Sequence, residues 1–122
     1  NPERNDPEIR NDGGELWILG FKTEHYGTAV HTLNGGRTEI LGGTCNQHKH
    51  DGAPPVFIND ASSVSVTCGF TDYREVSYRG LIAIAETREG HTRRYPIDHL
   101  PKRDAYLPAL PLYVGRAGKG NS

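Results

Sequence analysis

The chain has 122 residues, with 14 basic and 15 acidic side chains, a formal net charge of -1 and a hydrophobic content of 34%. That near-neutral balance gives no general attraction to nucleic acid or an anionic membrane surface, and no apolar run is long enough for a membrane span. Fifteen Gly, eight Pro and no Met, with no apolar residues held at i, i+3, i+4, i+7 spacing, argue against helix and predict an all-β fold.

In chain order, residues 1–12 open with Asn1-Pro2-Glu3-Arg4-Asn5-Asp6-Pro7 and carry neither an initiator Met nor a signal-like apolar core. They are expected to be an extended segment continuing from earlier coils, so that the chain is one piece of a longer protein. A repeat begins after them. Glu15 to Glu24, ELWILGFKTE, returns as Arg37 to Asn46, RTEILGGTCN, and more loosely as Ser62 to Thr71, SSVSVTCGFT. A period of about two dozen residues is the length of one coil of a β-solenoid.

The register is testable residue by residue. Ile18-Leu19-Gly20 lies over Ile40-Leu41-Gly42 at an offset of 22, and Thr38, Ile40, Gly42 and Gly43 lie over Val64, Val66, Cys68 and Gly69 at an offset of 26. Thr28 to Gly36 and Pro55 to Ser63 look like one element in successive coils, with left-handed corners at Asn34 and at Asn59 or Asp60. Val64, Val66 and Cys68 alternate with Ser63, Ser65 and Thr67, which predicts apolar side chains inward and hydroxyls outward. Leu16, Ile18 and Phe21 against Trp17 and Leu19 make an almost continuous apolar run. One face of that strand is expected inside the coil and the other under a covering segment, with Trp17 packed beneath a loop.

After Thr71 the pattern changes. Tyr78 to Thr87 and His91 to Ile97 flank Arg88-Glu89-Gly90, which predicts a β-hairpin with Gly90 at positive φ. Pro101, Pro108 and Pro111 keep the following segment extended, so the hairpin and this strand would cap an open solenoid end. The expected organisation is therefore coils over 13–76, a hairpin and extended cap over 77–114, and a disordered tail over 115–122. The basic cluster Arg88, Arg93, Arg94, Lys102 and Arg103 is interspersed with acids and reads as a solvated face.

Cys45 and Cys68 both follow the repeated strand, 23 residues apart, and would stand close on adjacent coils. They either bridge, which would fit a secreted or periplasmic protein, or stack as free buried thiols.

The runs ELWILGFKTE, GTAV, NGGRTEILGG, PPVFINDASSVSVT and LPLYVG together resemble the C-terminal coils of right-handed parallel β-helix proteins of the pectate lyase and glycoside hydrolase family 28-related superfamily. The resemblance covers about residues 13 to 115. It implies a right-handed parallel β-helix with a C-terminal hairpin cap and an acidic polysaccharide as partner, the remaining N-terminal coils completing the fold. Divalent calcium is the cofactor of some members. Gly90-His91-Thr92 and Ile97-Asp98-His99 echo the superfamily's hydrolase and lyase motifs only in part, and both fall in the cap.

One local constellation carries possible chemistry. An offset of 22 to 23 sets His25 beside His48, with His50 and Asp51 just beyond. His25 and His48 are the candidate catalytic acid and base; Lys22, Glu24, Tyr26 and His50 are candidate substrate contacts; His48, His50 and Asp51 are candidate metal ligands. The competing reading is a polar corner loop, Gln47 to Gly52. Two functions follow: part of a polysaccharide lyase or glycoside hydrolase, or a noncatalytic module for carbohydrate binding or fibre assembly.

Overall fold

The computed structural model describes residues 6–25, 27–47, 54–71, 81–101 and 109–117. These form ten strands and one 3-10 turn at Ile97–His99, an all-β arrangement. The strands are β1 Ile9–Asp12, β2 Glu15–Leu19, β3 Lys22–His25, β4 Val30–Leu33, β5 Arg37–Gln47, β6 Phe57–Asp60, β7 Ser63–Thr71, β8 Ile82–Arg88, β9 His91–Pro96 and β10 Ala109–Gly115.

The chain alternates between two sheets. The first has the order β1-β4-β6-β8-β9; the second runs β10-β7-β5-β2, with β3 also paired to β5. Pairing is parallel throughout except at one edge of each sheet, where β9 lies antiparallel to β8 and β10 antiparallel to β7. Side-chain alternation follows the pleat. Ile40, Val64, Val66, Phe70, Val30, Phe57 and Ile84 are buried in one shared core, while Phe21 meets Phe57 edge-on at 6.2 Å between ring centroids.

The repeat is realised in the register. Ile18 pairs with Ile40 and Ile40 with Val66, matching the offsets of 22 and 26 read from the sequence. Val30 pairs with Phe57, which places 28–36 over 55–63 as expected. The offset of 26 fails at Gly42-Gly43, where the pairing slips so that Thr44 meets Gly69. Two glycines there oppose one Cys, a β-bulge. A Cβ on Gly43 would collide with the Phe21 ring, so the bulge lets Phe21 into the core.

The corner after the first sheet is built by polar side chains facing inward. Asn11, Thr32 and Asn59 occupy one rung across β1, β4 and β6. Asn11 accepts from the Gly14 amide at 3.0 Å and Asn59 from the Ser62 amide at 3.0 Å, the same side-chain bond to the backbone three residues on. Their amide groups reach across the core: Asn11 donates to the Thr38 hydroxyl at 2.9 Å, and Asn59 to the Tyr113 hydroxyl at 2.9 Å and the Gly115 carbonyl at 3.2 Å. On the middle rung, the Thr32 and Thr38 hydroxyls bond at 2.8 Å. The left-handed corner residues are Gly13, Asn34 and Ala61, with φ of 75°, 55° and 50°. The expectation for Asn34 holds, but the second corner turns at Ala61 because Asn59 and Asp60 belong to β6.

The hairpin turn at Gly90 forms as expected. Glu89 and Gly90 join β8 to β9 with φ of 50° and 81°, as a two-residue hairpin turn requires. β10 then crosses to the second sheet, where Tyr113 donates to Glu86 and packs its ring against Tyr95 at 5.9 Å. Gly115 ends this strand, and the Ala117 amide donates to the Ser63 hydroxyl at 3.0 Å.

Candidate functional site

The outer face of the second sheet gathers exposed apolar side chains. Trp17 and Leu19 are 64% and 76% exposed, and Leu41, Leu112 and Val114 are also exposed. Neither Trp17 nor Leu19 packs beneath a covering segment, contrary to the expectation from residue size. Alternation explains this: Leu16 and Ile18 take the two inward positions of β2, which leaves Glu15, Trp17 and Leu19 outward. Among the described residues six large hydrophobic side chains are exposed, and all but Ile9 lie on this face. Large apolar groups gathered on one exposed face mark a binding surface.

Charged and hydroxyl groups complete it. Trp17 pairs with Glu39 and Glu39 with Ser65, and Ser65 pairs with Val114, so these four form one row across the strands. Beside that row lies a groove of about 420 Å³ lined by Arg37, Glu39, Ser63, Ser65, Val114 and Arg116, among others. The Arg37 guanidinium donates to Glu39 at 3.3 Å. Among the described residues no carboxylate pairs with Arg116. The groove therefore holds two guanidiniums against one carboxylate, with Glu15 beside Arg37 on the β2 side. Two guanidiniums lining an open groove, of which only Arg37 has a carboxylate partner among the described residues, favour an anionic ligand, bidentately held where it carries carboxylates.

The histidine constellation is reached only at its edge. β3 pairs with β5 in a register that sets Lys22 against Thr44, Glu24 against Asn46 and His25 against Gln47. Lys22 is exposed on β3. Tyr26, His48, His50 and Asp51 lie outside the described residues. Among the described residues, no group of three or more His, Cys, Asp or Glu side chains is placed to hold a metal ion. Ile97-Asp98-His99 forms the 3-10 turn after β9, with Ile97 buried as a core contact.

Cys45 and Cys68 are free, buried thiols on neighbouring strands β5 and β7. The hydrogen bond between them and its burial push the Cys45 thiol well above its usual range, so Cys45 is not a ready nucleophile.

Arg37, Glu39 and Arg116 carried no motif, and β10 alone brings Arg116 to the groove. The available signal was alternation, since every second residue of β2, β5 and β7 must face outward. No protein-family model, no curated protein and no solved structure matches the chain.

Proposed function

We propose that this chain forms C-terminal coils of a right-handed parallel β-helix, and that the outer face of its second sheet binds an acidic polysaccharide outside the cell. The single observation behind this reading is the exposed row from Trp17 to Val114 beside a groove with two guanidiniums. Parallel stacking at offsets of 22 and 26 residues supports the coil architecture, and the antiparallel β9 and β10 act as its cap.

The surface suits a sugar chain. Rows of side chains cross the strands at ~4.8 Å intervals, so a linear polymer laid along the row meets a new side chain at each step. Trp17 offers a flat face to a pyranose ring; Ser63 and Ser65 offer hydroxyls; Arg116 offers a fork for a uronate carboxylate. Binding is favoured over cleavage on these residues, because glycoside hydrolysis ordinarily uses two carboxylates and the groove lining contains only Glu39.

Affinity electrophoresis of the native chain through gels carrying polygalacturonate, alginate or neutral glucan tests the reading. Retardation by the uronates alone, weakened by raised salt and by Arg116→Ala, is expected. Equal mobility in every gel would remove the proposal. New absorbance at 232 nm or new reducing ends on the same polymers would make the chain an enzyme instead.

A further inference from the structure

Leu19, Leu41 and Leu112 stand outside the row proposed to seat the sugar rings, where a plain polyuronate presents mainly hydroxyl and carboxylate edges. Leu19, Leu41 and Leu112 lie toward one end of the strands, and Arg37 and Arg116 toward the other, with Trp17, Glu39, Ser65 and Val114 between them. Each leucine is more than half exposed. Resting on the polysaccharide reading above, we infer that the ligand is an acetylated acidic polysaccharide, its carboxylates at Arg37 and Arg116 and its acetyl methyl groups on Leu19, Leu41 and Leu112.

Three features favour this occupant. First, the columns alternate: Trp17 and Leu19 on β2, Leu41 beside Glu39 on β5, hydroxyls only at Ser63, Ser65 and Thr67 on β7, then Leu112 and Val114 on β10. A protein interface gathers its apolar groups into a central patch, whereas here a hydroxyl column divides them. Secondly, Leu19, Leu41 and Thr67 form one row across the strands, so apolar contacts and a hydroxyl lie side by side at the spacing of the sheet. Thirdly, the groove lining keeps one more guanidinium than carboxylate. A methyl-esterified uronate would give up the charge those guanidiniums attract; an O-acetylated one keeps it. The Thr67 oxygen accepts from the Gly42 amide at 3.0 Å, which leaves its hydroxyl hydrogen to donate to an acetyl carbonyl.

Polygalacturonate and the same preparation after chemical O-acetylation, titrated calorimetrically into the native chain, separate the possibilities. Burying one methyl is worth about four-fold in affinity, so two seated acetyl groups predict roughly tenfold tighter binding of the acetylated polymer. Leu41→Ser with Leu112→Ser should abolish that preference and leave thermal unfolding almost unchanged because both side chains are exposed. Equal binding of the two polymers by the wild type would overturn the acetyl inference and leave the polysaccharide reading standing. Binding of neither would overturn both. Sedimentation showing a wild-type dimer that the double variant dissolves would assign the face to a second copy and also overturn the inference.

Discussion

The corner of the fold and the outer face of the second sheet invert the usual distribution of polar and apolar groups. At the corner, Asn11, Thr32, Thr38 and Asn59 are buried, and every one of them is hydrogen-bonded. On the outer face, Trp17, Leu19, Leu41 and Leu112 stand in water beside Arg37 and Glu39. Buried polar groups with satisfied partners fix one geometry, here the turn that sends the chain from one sheet to the other. Exposed apolar groups contribute little to folding, so their presence on one face is explained by what that face touches.

The comparison is broken hardest from within. Phe57 is buried at the junction of the two sheets, and Phe57→Ala should lower stability by about 4 kcal/mol, measured by urea unfolding. Asn59→Ala comes next. It leaves the Ser62 amide, the Gly115 carbonyl and the Tyr113 hydroxyl without a bond each now has, and a loss of about 3 kcal/mol is expected. If Asn59→Ala were neutral, the corner would not depend on its polar rung.

A smaller effect is pH-dependent. Among the described residues the buried His31 Nε2 has no hydrogen-bond partner, and burial lowers the pKa below 6.5, with Asp60 opposing and Arg10 adding to the shift. The unfolded chain then takes up the proton more readily than the folded one. Stability should be unaffected by this group above pH 6.5 and fall as pH drops below it. His31→Gln should flatten that part of the profile relative to wild type, as read by thermal unfolding between pH 7 and 5.

The smallest stability effect belongs to the outer face. Trp17→Ala should change unfolding by no more than about 0.5 kcal/mol, against about 4 for Phe57→Ala. The same change should weaken polyuronate binding by at least about tenfold, since an aromatic anchor is lost. A variant that unfolds easily would instead return Trp17 to the packing role its size suggests.

Much of the fold is written in local patterns. Ile18, Ile40 and Val66 align because inward positions demand apolar residues at fixed phase, and Gly90 is legible as the positive-φ turn residue, while Arg88 belongs to the strand and Glu89 shares the turn. The bulge at Gly42-Gly43 was hidden because two glycines matched Cys68-Gly69 without a gap. Ala61 gave no sign of its left-handed turn: Ala does not favour that region, and the rung it shares with Gly13 and Asn34 imposes it. Trp17 was assigned to packing by size alone, when the phase of Leu16 and Ile18 already placed it outside. The groove was least legible, because Arg116 meets Arg37 and Glu39 only through the pairing of β10 with β7, a long-range contact that no local pattern encodes.

Trp17 is the only tryptophan in the chain, so its fluorescence reports directly on the outer face. Titrating the native chain with polygalacturonate should quench or blue-shift that emission saturably, and the change should shrink with added salt and in Arg116→Ala. Emission unaltered by uronate polymers at saturating concentration would contradict the assignment of this face to an acidic polysaccharide.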